Sequence, residues 1–257
     1  MNTGYVLRSE YDFDADEVEQ AGQRTTDGEW DWLATPTQAY TAEISDAEDN
    51  VRALDVVKGE ATWTQEEEVD KVTVNESGRI STRTKRERER YRANWMVIPE
   101  ANVAVLSDPK ALYYAEAACP PIADFRTPKI DVPGVIDNVD TVDVWGAGFP
   151  ARGIDNGARK GAVYGKKVLE DPDIGEDLAR SPLNQAGFRH ITSLGDITAY
   201  VAESGYVAAW SDDLETSAFA HWVVENIEPH LRDDSDGNDD AQETLDEAAE
   251  TDGGDEA

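Results

Sequence analysis

Apolar and polar positions are most legible near the C-terminal end of the chain. Two apolar runs, 197–203 and 206–210, flank Ser204-Gly205, and Gly tolerates the positive φ that tight hairpin turns demand. A two-residue turn there sets Val201 opposite Ala208 and Ala199 opposite Trp210. Ser211 or Asp212 can then cap a helix whose first turn holds Asp213 and Glu215, acids suited to the positive end of its dipole. Leu214, Ala218, Phe219, Trp222, Val223 and Ile227 recur at helical spacing, with Ser217, His221, Glu225 and Glu228 on the opposite face, and Pro229 ends the pattern.

The same grammar occurs 104 positions upstream. Trp95–Ile98, the turn 99–101 and Asn102–Asp108 precede a helix-like run from Lys110 to Cys119, stopped by Pro120-Pro121. Val97 corresponds to Val201, Val103-Ala104 to Val207-Ala208 and Ser107-Asp108 to Ser211-Asp212. This is the pattern of an internal duplication, or of two independent hairpin–helix motifs.

Trp63–Val74 and Arg79–Ile98 flank the turn-rich tetrad Asn75-Glu76-Ser77-Gly78 and read as a hairpin of two long strands, with Lys85 set against Asp70 and Arg88 against Glu67. Shorter patterns predict strands at Gly4–Leu7, Asp140–Trp145 and Phe188–Leu194, and short helices at Asp14–Gln20, Ser45–Leu54 and Asp171–Ala179. Trp30-Asp31-Trp32 puts two indoles on one side of an extended segment, as core, as interface or as a stacking platform. Four prolines between Pro120 and Pro133 mark a linker. The expected fold is α+β, with two antiparallel sheet-plus-helix units: residues 1–124, carrying the long hairpin 60–98, and residues 125–231. Residues 232–257, with twelve acids and one Arg, are expected to form a disordered, solvated tail.

Val201-Ala-Glu-Ser204-Gly205-Tyr-Val207, followed by a C-terminal helix over residues 197–231, resembles the closing part of a repeat of the TATA-box-binding protein. The resemblance implies a curved sheet backed by a long helix. Where that family carries an aromatic wedge and a lysine around the glycine, this chain has Ala202 and Tyr206, so no DNA-kinking residues carry over.

Composition changes the picture in one respect. The 257 residues hold 55 acids against 23 bases, a net charge of −32, with 39% hydrophobic residues and seven Trp. Acidity spread along a chain with a well-stocked core is expected of a halophilic protein folded in concentrated salt, where screening removes self-repulsion. The single cysteine, Cys119, excludes an intramolecular disulfide. No apolar run approaches the roughly 20 residues of a membrane helix, so no membrane association and a cytoplasmic location are expected.

Two islands of positive charge stand out. Arg86, Arg88, Arg90 and Arg92 alternate along one strand and form either a polyanion-binding rail or one half of a charge-compensated hairpin. The glycine-rich stretch 146–167 carries Arg152, Arg159, Lys160, Lys166 and Lys167 against Asp155 alone, which suits an anion cradle or a basic surface loop. It matches neither the phosphate-loop nor the dinucleotide fingerprint. Three histidines without ligand spacing and no nucleophile motif point to no catalytic residues, metal or cofactor. The expected function is therefore non-catalytic and regulatory, in association with DNA or RNA; the alternative is a protein–protein adaptor or regulatory subunit, and third an enzyme of unrecognised type. Phosphate contacts alone would not suffice in brine. At a slope near −0.9 per contact, five contacts lose on the order of four to five decades of affinity per tenfold rise in salt.

Overall fold

A computed structural model describes residues 2–13, 15–20, 24–25, 32–45, 51–74, 77–112, 125–139, 141–149, 161–172, 183–192, 195–211 and 214–232. The described strands are β1 (Thr3–Arg8), β2 (Arg24–Thr25), β3 (Trp32–Ser45), β4 (Val51–Val74), β5 (Ile80–Ile98), β6 (Val103–Leu106), β7 (Lys129–Ile130), β8 (Thr141–Phe149), β9 (Gly161–Tyr164), β10 (Gln185–Thr192), β11 (Gly195–Ala202), β12 (Tyr206–Trp210) and β13 (Leu231–Arg232). The described helices longer than one turn are α1 (Ala15–Gln20), α2 (Val132–Asn138) and α3 (Thr216–Asn226).

Eleven of these strands form one antiparallel sheet in the order β2-β3-β4-β5-β6-β1-β12-β11-β10-β8-β9, while β13 and β7 make a separate pair. The fold is therefore dominated by a single sheet, which corrects the expected α+β arrangement of two sheet-plus-helix units. β1 is the reason. It pairs with β6 through Val6 opposite Val105 and with β12 through Gly4 opposite Val207, joining two meanders edge to edge. Hydrophobic alternation announces strands, but it carries no record of which edges meet. The two hairpins spaced 104 residues apart, β5–β6 and β11–β12, accordingly lie on opposite sides of β1.

Over β1 and the body portions of β3–β6, both faces of this sheet are buried, by different parts of the chain. Val6, Val56, Met96, Ile98 and Val105 face a core completed by Phe219, Trp222 and Val223 of α3 and by Val132 and Val135 of α2. Their neighbours Leu7, Val57, Trp95, Val97, Ala104 and Leu106 point the other way, against Val18 of α1, Ala111 and Phe125. Near-continuous apolar runs such as Val103-Ala-Val-Leu106 are what two-sided burial requires. Phe125 and Ile130 are core residues, and Arg8 and Arg126 pair across a bridge, so the described part of the expected proline-rich linker is packed structure.

Several local expectations shift by one residue. The C-terminal turn has three residues, Glu203-Ser204-Gly205, with Gly205 at φ +88° and its amide donating to Ala202 O at 3.0 Å. Tyr200 therefore lies opposite Ala208 and Val201 opposite Val207. The extra residue lets a tight turn end in a left-handed glycine, a common three-residue hairpin form. The long hairpin exists as expected, with Lys85 opposite Val69 and Arg88 opposite Glu66. Residues expected as a helix over Ser45–Leu54 end β3 and begin β4 wherever they are described, because Ala42 and Leu54, opposite each other in register, complete a strand pair that packs into the core shared with α3. The expected elements over 113–119 and 173–179, Trp30, Cys119 and the tail from residue 233 lie outside the described residues.

Candidate interaction surfaces

β4 and β5 begin in the body and leave it as a two-stranded arm. From Thr64 opposite Arg90 to Val74 opposite Ile80, eleven residue pairs continue where, among the described residues, no third strand accompanies them. At about 3.3 Å per residue the arm is roughly 35 Å long. Long, well-matched strands with β-branched residues and Gly78 at φ +74° in the turn explain why it forms. Its tip carries Val72, Val74 and Ile80, which are 63%, 65% and 73% exposed.

On one face of the arm, the even-numbered positions bring arginines and glutamates together. Arg86 Nε lies 3.1 Å from Glu68 and Arg88 Nε 3.4 Å from Glu66, while Arg92 pairs with Glu60. Arg90, opposite Thr64, has no ion pair among the described residues. The ladder read from sequence is thus real as geometry and largely neutralised by carboxylates of the same hairpin. On the other face Lys71 pairs with Glu87, and Tyr91 donates its hydroxyl to Glu67, a hydrogen bond that holds the phenol well above its usual range. Thr64–Val74 holds four acids and one lysine, whereas Ile80–Arg90 holds five bases and two acids. The paired segments therefore cancel, and the arm is electrically neutral within a chain of net charge −32.

Only part of the second basic island is described. Lys166 and Lys167 follow β9 and are exposed; Lys167 Nζ lies 2.9 Å from Glu170, which raises its pKa, and its backbone amide donates to Asp143. Arg152, Arg159 and Lys160 lie outside the described residues. The structure places Lys166 and Lys167 at the β8–β9 edge of the sheet, with β4 and β5 on the far side of β1, so the described part of the second island is not continuous with the arginine ladder.

Comparison with models of known protein families and with curated proteins finds no match to this chain. The surfaces themselves therefore carry the functional argument.

One surface escaped the sequence reading. Tyr5, Tyr206, Tyr200 and Trp145 run across β1, β12, β11 and β8, with ring centroids 5.3, 6.1 and 6.4 Å apart in succession. They share the sheet face that α1 covers farther along, and among the described residues no helix packs over them. Trp145 lies over the bare backbone of Gly187, where a Cβ would come within 2.4 Å of the indole. Tyr164 and Trp210, 65% and 50% exposed, extend the aromatic surface at its margins. Thr3 donates to the Tyr206 hydroxyl at 2.7 Å, and Tyr200 donates to Gln185, so these rings are held in place. Aromatic residues at alternate strand positions would have been the signal, yet they come from four separate strands.

Two of the three histidines have structural roles. His190 is buried and its Nε2 accepts a hydrogen bond from Trp222 Nε1 at 3.0 Å; burial lowers its pKa to about 4. His221, expected on the polar face of its helix, is buried and donates from Nε2 to Ala42 O at 2.9 Å. It thereby satisfies a carbonyl of β3 beneath α3.

Proposed function

We propose that this chain is a non-catalytic adaptor or regulatory subunit that meets a protein partner through its β4–β5 arm, in the cytoplasm of a salt-adapted cell. The observation that carries the reading is the neutrality of the arm. In a chain bearing 32 excess negative charges, its longest projection has none and ends in three exposed aliphatic residues. Apolar contact keeps its strength in concentrated salt, whereas screened ion pairs do not. The arm's own ion pairs are all solvent-exposed, a setting in which each contributes only about 0–1 kcal/mol, so they shape the surface more than they stabilise it. The test is crosslinking in extracts of the native organism, comparing the full chain with a variant in which residues 65–89 are replaced by Asn-Gly. A partner captured by the first and lost by the second supports the reading; identical partner lists overturn it.

A second reading, association with DNA or RNA, is favoured by the aromatic row together with the exposed Lys166 beside β9, which among the described residues has no ion pair. Bases stack on aromatic rings with little salt dependence, at about 1–3 kcal/mol per base. Fluorescence anisotropy with labelled single- and double-stranded oligonucleotides in molar potassium chloride tests it. Binding that is lost in Trp145→Ala and Tyr200→Ala supports this reading, and no binding by the full chain removes it.

A further inference from the structure

Lys58 is out of place in this chain. Every other lysine or arginine whose described side chain lacks an ion pair is exposed, but Lys58 is half-buried and meets no carboxylate among the described residues, although acids outnumber bases by 55 to 23. Its ammonium lies 4.7 Å from the centre of the Tyr40 ring. Partial burial without a counter-charge lowers its pKa. The Tyr40 hydroxyl beside it is buried and has no hydrogen-bond partner among the described residues. A buried, unsatisfied hydroxyl and an uncompensated cation are both costly, and such groups are normally paired.

These two side chains line a groove of about 660 Å³ between β3, β4 and the start of α3, together with Asn2, Gln38, Leu214, Glu215, Thr216 and Ser217. Register explains the convergence. A bulge between Pro36 and Gln38 sets Gln38 opposite Lys58 and Tyr40 opposite Val56, so the strand pair presents an amide and an ammonium side by side. Above them, the first backbone bond of the helix runs from Phe219 N to Glu215 O, so the Ser217 amide has no intrahelical acceptor. Donors thus dominate the lining. Glu215 is the one carboxylate among the described lining residues, and it is exposed.

We propose that this groove binds a small oxyanion, a phosphate or carboxylate group, with Lys58 as its counter-charge, the Tyr40 hydroxyl as a neutral donor and the opening turn of α3 as a further source of N–H groups. The ligand completes the two interactions that the protein leaves open. Glu215 at the rim opposes entry of a second anion.

The test is calorimetric titration of inorganic phosphate, and separately of acetate, into the full chain in molar potassium chloride. Saturable one-to-one binding of either anion is expected, and which of the two binds more tightly names the preferred head group. Lys58→Met retains the aliphatic stem over Tyr40 and should weaken binding at least tenfold, whereas Lys58→Arg should restore most of it. Tyr40→Phe should weaken binding severalfold without lowering the melting midpoint. Glu215→Gln should tighten it about threefold. Absence of saturable heat with both anions, or equal binding by Lys58→Met in a variant that melts like the parent, overturns the proposal.

Discussion

The same two strands, β4 and β5, live in two environments. Over 51–63 and 91–98 they lie within the eleven-stranded sheet; over 64–74 and 80–90 they are a ribbon in water. In the body the pattern is apolar on both faces toward the β6 side. Trp95 lies across Gly59, directly opposite it in register, where a Cβ would sit 1.9 Å from the indole. In the arm charge replaces apolar packing: Glu66 lies opposite Arg88 and Glu68 opposite Arg86, while the like-charged pairs Glu67–Glu87 and Lys71–Arg83 are relieved diagonally by the Lys71–Glu87 ion pair. Backbone pairing is continuous through both, so the contrast isolates the side chains: tight burial anchors the body, whereas weak, exchangeable pairs keep the arm soluble and its edges unreactive.

Trp95→Ala gives the strongest way to break that contrast. It removes a fully buried indole and should cost about 3–5 kcal/mol in denaturant unfolding. Gly59→Ala should follow at roughly 1–3 kcal/mol, because the added methyl meets both the indole and the Thr35 carbonyl, 2.5 Å away. Arg86→Ala and Arg88→Ala, by contrast, should each change stability by less than about 0.5 kcal/mol in the same assay. If the arginine variants match Trp95→Ala, the arm is part of the cooperative core and the division fails.

Acid sharpens the comparison on the side of the body. His190 is held neutral in the core with its pKa depressed from 6.5 to about 4, so between those values the unfolded chain binds the extra proton. The stability due to this group is therefore complete above about pH 6.5 and declines as pH falls toward 4. His190→Gln keeps an acceptor for Trp222 and should flatten this part of the pH dependence of the melting midpoint. A variant whose midpoint follows the parent's throughout would assign the acid sensitivity elsewhere.

Much of the skeleton was legible. Alternation located β11, β12, the long hairpin and α3, since period-2 and period-3.6 patterns are local properties. Registers were missed by one residue at both hairpins; at the C-terminal one the reason is that loop length depends on whether glycine closes a two- or a three-residue turn, and Gly205 permits either. The arginine ladder was seen as both a rail and a compensated pair, and only the pairing of Glu66 and Glu68 with Arg88 and Arg86 separates these. The aromatic row and the Lys58 groove left no local trace. Tyr5 and Tyr206 are 201 positions apart in the chain, and Lys58 meets the start of α3 across more than 150 residues.

By itself, then, the sequence determined which stretches are extended, which helix is amphipathic and how strongly acidic the surface must be, because each follows from neighbours along the chain. Tertiary structure alone decided that one sheet replaces two. β1 is short and buried on both faces, with two edges able to accept partners, and it is satisfied only when β6 and β12 pair with it from opposite sides. That closure brings together surfaces no local pattern encodes.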